Sequence, residues 1–391
     1  MKKSFVLFVF ICIVFIILNV SEANAVNSVR FIWHDTVRNR TIPVKIFYPV
    51  KQSEEKLPVI VFSHGLGGSI DCCTYLANAW ASLGFASVFL QHSGSDENIW
   101  KGKILILNEF KKSYQQNWNG RTRAEDIKFV LDHLEQLFAE NHAVVTKFDL
   151  NRTGVGGYDL GCLASLLVAG QIPSDKGDSL YDSRVKAVLA MSPPIRYAGK
   201  SFQEIYAPID VPVLFITGTE DDSIVGPTKA YQRRIPFDSM HRSNRYLVTF
   251  QGGDHRIYGG RIFSLLARND QRFQLAIIRV SSCFWKAVLQ KDENAEMVLN
   301  GYGFQTLLGG MATVERYVEI GTTETNITET NTTGTAQPPN NTEESKTKKT
   351  KSITESTEDA PESVEEFPVT QLYRKITRKY VSTKYFGKTE F

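Results

Sequence analysis

Cysteine is scarce: five occur in 391 residues, with no C-x-x-C pair and no Cys/His cluster at zinc spacing. That excludes a sequence-encoded zinc site and a thioredoxin-like redox motif. Cys12 lies in the N-terminal apolar run, and the adjacent Cys72 and Cys73 cannot bond each other without strain. A long-range disulfide among Cys72, Cys73, Cys162 and Cys283 stays open. Neither sign of charge is in excess, with 45 Lys and Arg against 42 Asp and Glu and a formal net charge of +3. Such a balance gives no case for nucleic acid. Large apolar residues are nearly absent from Thr322 to Glu366, where Thr, Glu, Asn, Ser and Lys dominate. Such a segment cannot bury enough surface to offset the entropy of ordering it.

One unbroken apolar run stands out, Phe5 to Val20, interrupted only at Asn19. Lys2 and Lys3 precede it and Ala23-Asn24-Ala25 follows. A basic start, a short apolar run and small residues at the cleavage positions predict a signal peptide cut after Ala25, and hence export. The alternative is an uncleaved anchor, for which the run falls short of the roughly 20 residues a span needs. The expected organisation is therefore a signal peptide at 1–25, one α/β domain at 26–320, a disordered tail at 321–366 and a basic segment at 367–391. That last segment has the charge for weak contact with an acidic or membrane surface. Its plainer reading is a solvated, weakly helical end.

Within the domain, LPVIVFSH (Leu57 to His64), FASVFLQH (Phe85 to His92), RTGVGGY (Arg152 to Tyr158), VKAVLAMSP (Val185 to Pro193), VPVLFITG (Val211 to Gly218) and RYLVTFQG (Arg245 to Gly252) read as short buried strands. Helical stretches fall between them, at Cys73 to Leu83, Arg121 to Leu137 and Leu160 to Ala169, and Ile277 to Leu289 closes the order. Alternation of this kind predicts a mostly parallel sheet with helices on both faces, with two antiparallel strands leading in. Ligands bind such sheets at the carboxyl ends of the strands.

Four loops after predicted strands carry the notable residues. His64-Gly65-Leu66-Gly67-Gly68 is a glycine-rich turn able to aim backbone N–H groups at an oxyanion, with Leu66 and Leu160 as the expected donors. Gly157-Tyr158-Asp159-Leu160-Gly161 has the spacing of a nucleophile elbow, G-x-S-x-G, yet holds Asp159 where serine would stand. Asp221, or Asp222 beside it, is placed to orient an imidazole, and His255 is the candidate base. Each piece alone has a plain reading: a βα turn, a capping aspartate, a surface histidine. Their joint order (oxyanion loop, nucleophile, acid, histidine) is what carries the reading. His64 reads as structural. Trp100, Ile104, Leu105, Ile106, Leu107 and Phe110 read either as an apolar rim over the pocket or as helix packing.

FSHGLGGS, QHSGSDENIW, GVGGYDLG, TGTEDDSIVG, GGDHRIYGGR and SSCFWKAVLQKDENAEMVL together resemble the dienelactone-hydrolase-like branch of α/β-hydrolases. More narrowly they resemble secreted bacterial relatives of platelet-activating-factor acetylhydrolase. The resemblance spans about Val29 to Arg316. It implies an eight-stranded, mostly parallel sheet and cofactor-free, metal-free hydrolysis of carboxylic esters by a Ser-His-Asp triad. The acid and base carry onto Asp221 and His255, and the oxyanion loop onto Gly65 and Leu66. The nucleophile falls on Asp159, where this sequence departs.

A carboxylate attacking an ester carbonyl would form a mixed anhydride, so simple acyl transfer suits Asp159 poorly. At saturated carbon it is a competent nucleophile and gives an alkyl-enzyme ester. Haloalkane dehalogenases and epoxide hydrolases use that scheme, but they carry Trp after the nucleophile and Pro in the oxyanion loop, where this chain has Leu160 and Gly67. The sequence thus leaves three readings. One is a hydrolase of an ester-type or related small apolar or lipid-like substrate. Another is an Asp-nucleophile hydrolase of the epoxide or haloalkane type. The third is an inactive binding or structural protein.

Overall fold

The computed structural model describes residues 25–51, 54–117, 120–175, 177–196, 199–258, 271–318 and 352–354. All of the predicted signal peptide but Ala25, the whole basic segment and all but three residues of the predicted tail lie outside them. β1 (Val26–Asp35) and β2 (Arg40–Pro49) form the expected antiparallel pair around the polar turn at Asn39. β3 (Leu57–Ser63), β4 (Ala86–Leu90), β5 (Phe148–Tyr158), β6 (Val185–Met191), β7 (Val213–Glu220) and β8 (Arg245–Asp254) are mutually parallel neighbours in the order β4-β3-β5-β6-β7-β8. β9 (Ala312–Tyr317) adds antiparallel to β8, and β10 (Ser352–Thr354) pairs antiparallel with β9. Among the described residues the sheet has ten strands, two more than expected. β9 is an alternating strand with half its residues outward, a weaker sequence signal than a buried run. β10 comes from a Ser-Ile-Thr step in the otherwise apolar-poor tail.

Nine α-helices occur among the described residues: α1 (Thr74–Ser82), α2 (Ile106–Asn117), α3 (Arg121–Ala139), α4 (Leu160–Val168), α5 (Phe202–Tyr206), α6 (Ile235–Ser239), α7 (Gln271–Trp285), α8 (Glu293–Asn300) and α9 (Gly303–Thr306). They cover both faces because the strands alternate. On β3, Ile60 and Phe62 join Trp80 of α1 and Trp285 of α7 in one apolar layer. Val59 and Val61 join Leu131 of α3 and Leu163 of α4 in the other. Every residue of α4 is buried, so the helix that follows the elbow is apolar all round. Parallel strands covered on both faces bind ligands at the ends rather than on the faces, and in open α/β sheets the carboxyl ends are the usual place. The described residues contain no disulfide; Cys72, Cys73, Cys162 and Cys283 are buried thiols.

Candidate active site

The elbow is tight. A Cβ on Gly161 would lie 2.0 Å from the Ser63 carbonyl oxygen, and one on Gly157 would lie 2.3 Å from the Gly161 backbone. Only residues without a side chain let the first turn of α4 press against the ends of β3 and β5. Asp159 sits at the tip with φ 53° and ψ −120°, a backbone that L residues rarely adopt. Its own N–H donates to the Met191 carbonyl at 3.1 Å. Its side chain is buried, and the Leu66 N–H donates to its Oδ2 at 3.2 Å. Leu160, the other expected donor, opens α4, and the Asp159 side chain makes no capping bond to that helix.

Asp221 and His255 meet behind this tip. His255 Nδ1 lies 2.8 Å from Asp221 Oδ1. Since a carboxylate oxygen only accepts, Nδ1 is the donor of this pair; Ser192 Oγ at 3.0 Å and Arg233 Nη2 at 3.3 Å also lie against Nδ1. Ser192 Oγ donates to Asp221 Oδ1 at 2.9 Å, and Thr217 Oγ1 and Tyr258 OH donate to Oδ2 at 3.1 and 3.2 Å. Arg233, fully buried, brings its Nε to 3.2 Å from Asp221 Oδ1 and donates from Nη1 to the Ser192 carbonyl at 2.9 Å. Tyr158 OH donates to the His255 carbonyl at 2.7 Å, and burial holds that phenol well above its ordinary pKa. Asp222, the alternate, is exposed and turned to Lys229 Nζ at 2.8 Å and the Ala230 N–H at 2.9 Å.

One expected contact is absent. Among the described residues no hydrogen bond or ion pair links Asp159 to His255. The physical reason is the Leu66 N–H, a donor already placed for an anion: the elbow carboxylate is itself an anion and turns to it.

Beneath the oxyanion loop lies a buried polar cluster. Arg123 of α3 donates from Nη1 to the His64 carbonyl at 2.5 Å and from Nη2 to the Ser95 carbonyl at 3.1 Å. Burial lowers its pKa to about 10, against the pull of Asp159 and Asp126. His64 Nε2 accepts from the His92 N–H at 3.1 Å, so its Nδ1 carries the proton to the Gly65 carbonyl at 2.6 Å. His64 is therefore a loop-holding residue, as the sequence suggested. His92 bridges Ser63 Oγ at 2.7 Å and Asp126 Oδ2 at 2.9 Å. Burial, with Arg123 adding to it, lowers the His92 pKa to about 4, so the Asp126 contact joins a neutral ring to a carboxylate. Asp126 takes its ionic partners from Arg38 and Arg40, at 2.9 and 2.7 Å.

Sequence reading missed Ser192, Arg233, Tyr258 and the Arg123–Asp126 cluster. A serine at the end of β6, before two prolines, was the one signal available for Ser192. The proposed rim divides. Trp100 Nε1 donates to the Gly67 carbonyl at 2.8 Å, and a Cβ on Gly67 would meet the Phe110 ring at 2.6 Å. Those two pack onto the oxyanion loop, while the four apolar residues between them face outward.

An oxyanion loop after β3, an elbow after β5, an acid after β7 and a histidine after β8, on a mostly parallel sheet covered by helices, define the α/β-hydrolase fold. Residues 19–119 match the family model described as platelet-activating factor acetylhydrolase, isoform II, so over that stretch the chain is similar to that family. The match takes in β1 to β4, the oxyanion loop and α2; Asp159, Asp221 and His255 lie beyond it. No curated protein matches the chain.

Proposed function

We propose that the protein is an exported hydrolase in which Asp159 is the nucleophile, acting at a saturated carbon of a small apolar or lipid-like substrate of ester or related type. The observation that carries this reading is the Leu66 N–H bond to Asp159 Oδ2. In acyl transfer that donor must be vacant to receive a substrate oxygen. Here one carboxylate oxygen holds it and the other is left for attack. Attack by Oδ1 forms a carbon–oxygen bond, the leaving group departs with the bonding pair, and Asp159 becomes an ester whose carbonyl oxygen is already in the oxyanion loop. His255 Nε2 then takes a proton from water as the hydroxide adds to Asp159 Cγ. Charge develops on Oδ2, opposite the Leu66 N–H. Collapse breaks the Cγ–Oδ1 bond, and the alcohol leaves with that oxygen and the proton from His255. Asp221 keeps the imidazole oriented throughout.

The missing Asp159–His255 contact favours a second reading, a non-catalytic protein with a fixed anion at the elbow. Mass spectrometry separates the two. Under the first, turnover of an epoxide, haloalkane or ester panel in 18O-water adds label to the Asp159 peptide, and His255→Ala accumulates a covalent adduct there. Under the second, wild type takes up no label, and Asp159→Ser acquires weak esterase activity because acid, base and loop are assembled. Label on another residue would sink both. The same spectra of protein recovered from cells should begin at Val26, the first residue of β1, if the signal peptide is cut after Ala25.

A further inference from the structure

We propose that the segment Lys101–Lys112 is a docking surface for an anionic lipid interface, at the cover of the oxyanion loop. Ile104, Leu105, Ile106 and Leu107 are consecutive and 96%, 66%, 43% and 62% exposed. They form a loop tip and the first turn of α2. A soluble surface carries single exposed apolar residues, but a contiguous cluster of large ones marks an interaction site. Four lysines flank the cluster, at 101, 103, 111 and 112, against one acid within the segment, Glu109. Lys101 also pairs with Glu97 at 2.6 Å. Lys103, Lys111 and Lys112 are exposed, the last two one turn beyond the tip.

Apolar side chains that enter an acyl boundary beside cations that stay at the headgroups are the pattern of an interfacial anchor. That charge pattern selects an anionic lipid surface over an apolar protein patch. The tip is also held in place from below. Trp100 bonds the Gly67 carbonyl at 2.8 Å on one side, and Phe110 packs on Gly67 on the other. A membrane contact here would sit directly over the loop that holds Asp159, which suits a substrate delivered from lipid. The inference does not require that Asp159 be catalytic.

The test uses the chain from Val26 onward, the form expected after cleavage, so that the apolar run Phe5–Val20 cannot itself bind vesicles. It carries Leu105→Cys, labelled with an environment-sensitive fluorophore. The four other cysteines are buried and stay unlabelled in the native protein. Vesicles containing phosphatidylglycerol should shift the label to the blue, and vesicles of phosphatidylcholine alone should not. Half-molar salt should weaken the response. In sedimentation with the same vesicles, Ile104→Ser/Leu105→Ser/Leu107→Ser should lower partitioning at least tenfold relative to wild type, with an unchanged melt. Three results would overturn the proposal. One is no blue shift on anionic vesicles. Another is a triple variant that sediments like wild type, which would move the contact elsewhere, such as the basic C-terminus. The third is a label already blue-shifted without vesicles, which would mean the chain itself or a second copy covers the tip.

Discussion

Asp159 combines two costs at one position: a positive-φ backbone and a buried carboxylate. Strain of that kind costs about 1–3 kcal/mol and is tolerated where function needs the side chain lifted. Asp159→Gly should therefore stabilise the protein by about 1 kcal/mol in urea unfolding, while ending any turnover. Gly161→Ala should act oppositely, costing more than about 2 kcal/mol, since its Cβ has only the β3 backbone to displace. Equal stability of the two variants would mean the elbow is not strained. At this scale the sequence was legible where glycine marks geometry: Gly157 and Gly161 announced the elbow, and Gly65 and Gly67 the loop. Arg233 was not legible. In KAYQRR it reads as surface charge, and only the fold, which brings it to Asp221 and the Ser192 carbonyl, explains its complete burial.

The elements that were legible are those whose apolar runs are buried on both faces, β3 to β8, because burial from two sides leaves no polar alternation to confuse with a helix. β9 was not, because its alternation ATVERY matters only once β8 lies beside it. The cluster tying β4 and α3 to the oxyanion loop was equally hidden, yet it makes a pH prediction. His92 is held near 4 when folded, against about 6.5 when unfolded. The unfolded chain binds a proton in that window and the native ring does not. This contribution is thus fully present above pH 6.5 and is lost as pH falls from 6.5 toward 4, by up to about 3 kcal/mol. His64, lowered by its burial and then by Arg123, acts in the same direction. Urea unfolding at pH 7.5, 6, 5 and 4.5 should show the decline, and His92→Gln should flatten it. A wild-type stability independent of pH across that range would refute the neutral, buried cluster.

For the molecule as a whole, the sheet is closed at one margin by the β1–β2 hairpin and at the other by β9, with β10 adding three residues of pairing. So short an edge contributes little, and deletion of residues 322–391 should move the melting temperature by no more than a few degrees, about what 1 kcal/mol does in a domain of this size. Loss of the cooperative transition would show that the C-terminal segment packs on the domain. The order of loops around the open end was readable before the fold because each follows a strand, and their convergence is a property of parallel topology. The bond from Leu66 to Asp159 was not readable, because it depends on which way one carboxylate turns. That bond also decides how the protein meets a reagent. Fluorophosphonates tag hydrolases by capping an elbow hydroxyl and resting a phosphoryl oxygen in the loop. This chain offers neither the hydroxyl nor the vacancy, so a census taken with such probes would pass over it. On the proposed reading, electrophiles aimed at carboxylates, such as strained epoxides and diazo compounds, are the labels Asp159 would take.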